Sequence, residues 1–271
     1  MNHFERFESY IPVDLTSPAG FIGAFCLVTG IVILRYFAIV GPIWALFYKL
    51  RPAWTRRRQI YDELPGQDIQ VFEMKWSLWS AVVFGFTGAV MGLVWQQGYT
   101  KIYLQFEEYG WSWFFLSPLA MSFVHDFYFY ITHRLLHQPW WYRKVHWIHH
   151  ESLTPSPWAS FSFHPFESFL NAIIIPLMVL FIPIHPVMLI AYLTFMTISA
   201  VTNHMGFEIL PRGAAEHWLG KWLVSGVHHT EHHRYFRFNY ALFYTWWDRW
   251  LKTEHPKYVQ EFNRVLPRVK S

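Results

Sequence analysis

The sequence GFIGAFCLVTGIVILRYFAIVGPIWAL, from Gly20 to Leu46, is an almost unbroken apolar run. A helix of this length easily spans a hydrocarbon core of about 30 Å. Only Arg35 interrupts the run with a charge, and an arginine inside a membrane needs a partner or a route by which its side chain reaches the interface. The run therefore predicts a membrane-spanning helix near the start of the chain.

The composition of the whole chain of 271 residues is also that of a membrane protein. Hydrophobic residues make up 53% and charged residues only 15%, against roughly 25% charged in an ordinary soluble domain. So few charges cannot cover a surface that faces water. The 16 Trp and 15 Tyr agree with this interpretation, because amphipathic rings collect at the membrane–water interface.

Three more apolar regions follow the first one. The last of them is long enough to cross a membrane twice, but Pro176, Pro183 and Pro186 interrupt it, so we expect a helical hairpin that turns at Ile182 to Pro186. The sequence thus predicts a single-domain, all-α integral membrane protein with four to five membrane helices and a cytoplasmic helical cap. The predicted helices cover about residues 20–46, 76–95, 111–131 and the hairpin 167–182/186–200.

The charge next to the first span predicts the orientation. Five basic residues lie between Lys49 and Arg58, and such an excess marks the cytoplasmic side of a bacterial inner membrane or endoplasmic reticulum. Counting crossings from there puts residues 133–164 and 204–271 on the same, cytoplasmic side. The basic residues of the tail agree with this topology; they are Arg264, Arg268 and Lys270.

The histidines fall into three clusters, which we call boxes one, two and three. Box one holds an i,i+4 pair, which shares one face of a helix. Boxes two and three repeat the pattern HxxHH. These boxes hold more imidazoles than the four that a tetrahedral zinc takes, so we predict two metal ions. The predicted ligands are His133 and His137 (box one), His146, His149 and His150 (box two), His204, and His228, His229, His232 and His233 (box three).

Two carboxylates and two further histidines are candidates for supporting roles. A metal-bound histidine usually donates its second N–H to a carboxylate or carbonyl group. Asp126 lies two turns before box one on the same face, and Glu167 is a second candidate. Asp126 has two ordinary alternatives, an ion pair with Arg134 or the capping of a neighbouring helix. His125 and His164 are candidate pocket residues.

Ligand type alone does not choose the metal, because imidazole suits iron, zinc and copper. One alternative is a membrane metal-binding or metal-transport protein. Transport sites lie near the middle of the membrane, whereas the boxes lie mostly outside the predicted spans. A second alternative is a zinc hydrolase, but the HExxH pattern that supplies its catalytic Glu is missing. The single cysteine, Cys26, excludes cysteine-rich metal sites.

Taken together, the boxes resemble the fatty acid hydroxylase/sterol desaturase superfamily of membrane di-iron oxidases, whose pattern is HxxxH, HxxHH and HxxHH. The resemblance covers residues 122–253, the motif-bearing core of the chain. The segments after boxes two and three, residues 154–165 and 238–249, are most similar to those of sterol C-5 desaturases. One departure is Ala241, where the family usually has Gly.

The resemblance implies an enzyme that hydroxylates or desaturates a membrane lipid, either sterol-like or a fatty acyl or sphingolipid. It implies two Fe ions, which zinc can replace in a purified sample, with O2 as co-substrate and no catalytic residue beyond the metal centre. The sequence has no flavin, haem or iron–sulfur motif. Electrons are therefore expected from a partner protein, which the resemblance implies is a b-type cytochrome or a ferredoxin with its reductase. No nucleic-acid partner is expected.

Overall fold

The computed structural model describes residues 13–266, so Arg268 and Lys270 of the predicted cytoplasmic tail lie outside the described residues. Within this range the chain is helical, and its only β pairing is in isolated bridges. The all-α prediction is thereby confirmed. The longer helices are α1 (Pro18–Trp44), α2 (Gln67–Gln96), α3 (Gly110–Leu136), α4 (Pro165–Phe181), α5 (Pro186–Asn203), α6 (Gly226–Tyr235) and α7 (Tyr258–Val265).

Short helical turns connect these elements. They include two π-helical segments, and π turns are frequent at functional sites; one of them runs directly into box two. The π-helical segments are Ala45–Leu50, which continues α1, and Tyr142–His146. The short α-helices are Pro52–Arg56, Pro139–Trp141, Trp147–His150 and Trp246–Trp250, and the 3-10 turns are Phe106–Glu108, Pro157–Phe161 and Gly220–Trp222.

Proline fixes the start of three helices. Pro18, Pro165 and Pro186 each occupy the first helical position, where the missing N–H costs nothing and the fixed φ suits a helix. The residue before each proline caps the helix with its side chain, which accepts a backbone N–H. The break between α4 and α5 therefore falls in the predicted hairpin, at residues 182–185.

Among the described residues, three helices are long and apolar enough to cross a membrane. They are Pro18–Leu50, Gln67–Gln96 and Pro186–Asn203. α3 is 27 residues long but more polar, and α4 is apolar but shorter. An integral membrane protein is supported, while the predicted count of four to five crossings stays a prediction.

α1 and α2 lie against each other at small residues. A Cβ atom on Gly85 would lie 1.9 Å from the hydroxyl of Thr29 and 2.8 Å from its Cα atom. A Cβ atom on Gly88 would lie 2.8 Å from a methyl group of Val28. Small residues allow this close approach of two helix backbones, which is a common packing mode inside membranes.

The basic segment after α1 packs on the chain that follows α5. The backbone N–H of Ile60 donates to the carbonyl of Gly206 at 3.1 Å, and the guanidinium of Arg58 donates to the carbonyl of Glu208 at 2.9 Å. The hydroxyl of Tyr48 donates to the carbonyl of Met205 at 2.8 Å. The end of α1 and the end of α5 therefore lie on the same side of the helix bundle.

The contact at Gly85 gives a test of this packing. We expect Gly85→Ala to lower the free energy of unfolding by about 1–3 kcal/mol, because the added methyl group overlaps the backbone of α1. Thermal unfolding of the detergent-solubilised chain measures the change. Gly92→Ala on the same helix is the control, because its Cβ atom would meet only Leu15 at 3.4 Å, an ordinary contact. Equal effects of the two substitutions would contradict the packing.

Candidate metal centre

Nine histidine rings form two groups in which the candidate ligand atoms lie within 4.8 Å of one another. We call them the five-histidine cluster and the four-histidine cluster. Every ring except that of His137 is buried. The five-histidine cluster consists of His133, His137, His146, His150 and His232, and the four-histidine cluster of His149, His204, His229 and His233.

Helical periodicity divides boxes two and three between the two clusters. In each box the i,i+4 pair, His146/His150 or His229/His233, enters one cluster and the remaining histidine enters the other. Residues four apart are separated by only about 40° around the helix axis, whereas the remaining histidine is turned about 60° from one of them and about 100° from the other. Each HxxHH box therefore connects both clusters.

The ring nitrogens have the separations of ligands around one ion. In the five-histidine cluster, Nε2 of His137 lies 3.1 Å from Nε2 of His146 and 3.2 Å from Nε2 of His150. In the four-histidine cluster, Nε2 of His229 lies 2.9 Å from Nε2 of His204. Two nitrogens bound at about 2.1 Å to one ion, at right or tetrahedral angles, are roughly 3.0–3.4 Å apart. Each cluster therefore fits one metal ion.

The other ring nitrogen, Nδ1, explains why the Nε2 atoms face inward. In five of the nine rings Nδ1 lies within hydrogen-bond distance of an oxygen acceptor, which fixes the tautomer with the proton on Nδ1. The lone pairs of Nε2 then point at one another, an arrangement that a cation stabilises. These Nδ1 contacts are His146 to Glu167 Oε1 (2.8 Å) and, to carbonyl groups, His133 to Tyr240 (2.9 Å), His149 to Ser162 (3.3 Å), His204 to Ala200 (2.6 Å) and His232 to Phe238 (2.7 Å).

The electrostatics of the clusters keep the rings neutral. Burial, reinforced by the neighbouring imidazoles, lowers the pKa of His146, His150 and His232 well below its ordinary value. The same two causes, in the same order, lower the pKa of His229 and His233. Neutral imidazole is the form that binds metal, so the rings need not lose a proton when an ion enters.

Glu167 and Asp126, the two carboxylates that the sequence analysis named as candidate partners of metal-bound rings, make different contacts. Glu167, at the start of α4, contacts box two through His146, as the sequence predicted. Asp126 contacts the backbone after box three instead: its Oδ1 accepts the N–H groups of Phe243 (2.6 Å), Leu242 (3.2 Å) and Tyr244 (3.4 Å). Asp126 therefore orders this loop and does not contact a clustered ring, which is a correction to the sequence analysis.

His228 needs a second correction, because its ring lies outside both clusters. Its Nε2 is 3.7 Å from a carboxylate oxygen of Asp248, and its ring packs edge-on against Tyr258 with centroids 5.1 Å apart. His228 directly precedes His229 on α6, so it points about 100° away around the helix. We therefore leave His228 out of the proposed ligand set.

Of the two candidate pocket residues, His125 and His164, only His125 lines the cavity. His125 lines a cavity among α1, α2, α4 and α5, and its Nδ1 lies 3.0 Å from the hydroxyl of Tyr192. His164 does not line this cavity. Its Nδ1 accepts the N–H of Phe166 as the cap of α4, and its ring stacks on Trp76.

Asn239 and Asp248 lie after box three, and the sequence analysis gave them no role. They hold the loop that supplies the carbonyl acceptors of Phe238 and Tyr240. The carboxylate of Asp248 accepts the N–H groups of Tyr240 at 2.8 Å and Ala241 at 2.9 Å. Asn239 has a positive φ of 60° and donates to the carbonyl of His228. In the sequence, the runs Asn239-Tyr240-Ala241 and Trp247-Asp248-Arg249 were the features that could have indicated these roles. Ala241 is not among the positive-φ residues, so a side chain is tolerated where the family usually has Gly.

The cavity has a volume of about 260 Å³ and borders both clusters. The ring of Phe129, which lines it, lies 4.9 Å from the ring of His133 in the five-histidine cluster. The ring of Phe163, also in the wall, lies 4.9 Å from the ring of His149 in the four-histidine cluster. Most of the remaining wall is apolar. An apolar molecule in this cavity would lie beside both histidine clusters.

Two buried histidine clusters beside an apolar cavity, in a chain with three long apolar helices, are the features of a membrane metalloprotein. The family model described as fatty acid hydroxylase matches residues 118–253, half of the chain. The chain belongs to the fatty acid hydroxylase family, which confirms the resemblance inferred from the boxes.

Relatives in this family are sterol desaturases. The chain is 32% identical to Delta(7)-sterol 5(6)-desaturase ERG3B of Gibberella zeae, over 57% of the chain and 46% of the relative. It is 36% identical to Delta(7)-sterol 5(6)-desaturase ERG3 of Saccharomyces cerevisiae, over 56% and 40%. It is 30% identical to lathosterol oxidase of Mus musculus, over 56% and 50%. The chain thus spans about half the length of these relatives. No solved structure matches it.

The contact between Glu167 and His146 can be tested by metal binding. We expect Glu167→Ala to lower the metal affinity of the purified chain by about 10- to 100-fold, because the ring loses the partner that orients it. Competition with a chelator measures the affinity. Glu151→Ala is the matched control, since that carboxylate is exposed beside box two. If both substitutions changed the affinity equally, Glu167 would have no special role.

Proposed function

We propose that this chain oxidises a C–H bond of a membrane lipid with O2, forming a hydroxyl group or a double bond. The observation that carries the proposal is the apolar cavity whose wall contacts both histidine clusters, through Phe129 and Phe163. Membership of the fatty acid hydroxylase family supports the same reaction class. The reacting part of a lipid in this cavity would lie next to both metal sites.

The proposed metals are two iron ions, one in each cluster, held by the nine clustered histidines. When bound, the iron pair supplies the oxygen activation and electron transfer that amino-acid side chains cannot perform. The chain's own residues hold the imidazoles in their neutral tautomer, through the carbonyl groups and Glu167, and they exclude water from the reacting region. Exclusion follows from the burial of eight of the nine rings.

The proposed substrate is a lipid with an apolar body. Phe84, Phe161 and Leu193 are among the apolar residues of the wall, and the volume of the cavity is near the lower end of the range of about 300–1,000 Å³ typical of ligand pockets. The relatives described above are two sterol desaturases and a lathosterol oxidase. A sterol-like substrate is therefore the first choice, with fatty acyl or sphingolipid substrates next.

The proposed electron donor is a b-type cytochrome or a ferredoxin with its reductase. His137, the partly exposed member of the five-histidine cluster, lies nearest to such a partner. The surface near it carries the exposed basic side chains of Arg143 and Arg237, on segments joined by the ring contact of Tyr142 with Phe236 at 5.6 Å. Positive side chains would attract an acidic electron carrier.

The proposed location is an inner membrane or endoplasmic reticulum, with the boxes on the cytoplasmic side. Its support is the contact between the basic segment, at Arg58, and the chain after α5, at Glu208. Since basic residues beside a span favour the cytoplasm, the boxes near that contact would share this side. The clustered histidines also come mostly from outside the three long apolar helices, which disfavours the metal-transport alternative.

The proposed function can be tested by substituting one clustered histidine. We expect His149→Ala to reduce lipid oxidation to below about one hundredth of the normal rate, because loss of a direct ligand costs more than loss of a partner behind it. The rate is measured by profiling the lipids of a strain that lacks the gene and carries either variant. Elemental analysis of the purified protein is expected to give two metal ions per chain for the unsubstituted protein and fewer for the variant.

His217→Ala is the control, because His217 is exposed and belongs to neither cluster. Its lipid profile should match that of the unsubstituted chain. One metal ion in the unsubstituted protein, together with normal lipid oxidation by His149→Ala, would overturn the proposal.

A further inference from the structure

We propose that Arg35 binds the anionic oxygen group of a lipid in the cavity, so that the substrate carries a carboxylate, phosphate or sulfate head in addition to its apolar body. This inference rests on the proposed function, because it takes the cavity as the substrate site. Arg35 carries the one charge of the first apolar span, and neither the metal centre nor the packing of α1 on α2 involves this side chain.

Arg35 is the charged residue of the cavity wall, and the wall contains no carboxylate. It follows Val28 and Val32 along one face of α1, and all three line the cavity. The Nε atom of Arg35 is buried and has no hydrogen-bond partner among the described residues. A positive charge therefore faces the cavity without a counterion from residues 13–266.

The wall has five other polar side chains, those of Thr87, Thr197, His125, Ser160 and the half-buried Asn171. The hydroxyls of Thr87 and Thr197 donate to carbonyl groups of their own helices, and His125 pairs with the hydroxyl of Tyr192. Ser160, only 1% exposed, lines the cavity with an Oγ atom that has no partner in the described part of the chain. Arg35 and Ser160 thus provide free donors to one cavity.

The two donors belong to parts of the chain that pack together. Tyr36, next to Arg35, donates its hydroxyl to the carbonyl of Trp158 at 2.8 Å and stacks on Phe161 with ring centroids 5.5 Å apart. Ser160 lies between these two residues in the same 3-10 turn. Arg35 and Ser160 therefore lie at a similar depth along α1, and both line the cavity.

Charge decides which kind of head group fits. An arginine inside a membrane is costly unless it is paired, and a neutral hydroxyl offers an acceptor but no counter-charge. A carboxylate, phosphate or sulfate neutralises the guanidinium and accepts two parallel N–H bonds from it. The chemistry of the wall therefore selects an anionic lipid over a neutral one with the same apolar body.

Binding to the metal-loaded, full-length chain in a neutral maltoside detergent tests this selection. The probes are two matched pairs, oleate with oleyl alcohol and cholesterol sulfate with cholesterol, and binding is followed by the intrinsic tryptophan fluorescence. We expect the anionic member of at least one pair to bind about tenfold or more tightly than the neutral member, as hydrogen bonds to charged groups provide. Oleyl phosphate, compared with oleate, then separates a phosphate from a carboxylate preference.

Arg35→Leu should remove the preference, leaving the two members of the pair within about twofold, while the affinity for the neutral member stays unchanged. Arg35→Lys should keep part of it, since the charge remains but the paired N–H geometry is lost. Arg35→Leu should fold, because replacing a poorly paired buried charge by an apolar group is often neutral or stabilising. The control is Arg51→Leu, which removes an exposed cation that does not line the cavity.

Equal binding of neutral and anionic lipids by the unsubstituted chain, or an anionic preference that survives Arg35→Leu, would overturn the inference. The readout does not depend on turnover. A chain that binds anionic lipids through Arg35 but oxidises none would refute the proposed function and leave this inference standing. A chain that oxidises lipids but shows no anionic preference would refute this inference and leave the proposed function standing.

Discussion

The structure depends on bringing nine neutral imidazoles into two groups whose nitrogen lone pairs converge. Such an arrangement is unfavourable without a cation, because converging lone pairs repel and each buried ring gives up its hydration. The chain stabilises this arrangement on the side of the rings that faces away from the converging nitrogens. There, carbonyl groups and Glu167 accept hydrogen bonds from the Nδ1 atoms of five rings. Those acceptors must stay in place if the Nε2 atoms are to stay at ligand distances.

The parts of the chain that carry the acceptors are fixed by their own contacts. The loop after box three, which supplies the carbonyls of Phe238 and Tyr240, is tied to Asp248 and Asp126. The segment after box two, which supplies the carbonyl of Ser162, is tied to α1 through Tyr36. The same segment supplies Ser160 and Phe163 to the cavity wall. The positions of the clustered rings and the shape of the cavity are therefore determined by one set of backbone positions.

The sequence predicted much of this arrangement because helical and histidine patterns are local. The apolar runs predicted the helices, and the break at Pro186 predicted the turn between α4 and α5. Glu167 contacts a ring of box two, whereas Asp126 contacts the backbone after box three and the ring of His228 lies outside both clusters. Asp126 shares a helix face with box one, but the loop that it binds lies more than a hundred residues later, and spacing carries no information about such a contact. His228 has suitable spacing to His232, yet its ring packs toward Asp248 and Tyr258 instead.

The division of each HxxHH box between both clusters has a consequence for how the protein acquires its metals. Because His149 lies between His146 and His150 on one short stretch of backbone, any ion that fixes this stretch in one cluster also fixes a ligand of the other. The same holds for α6, where His232 and the pair His229/His233 turn together. Filling of the first position would thus pre-organise the second. Loading of two ions would then be cooperative, and chains holding a single ion would be rarer than two independent sites would give.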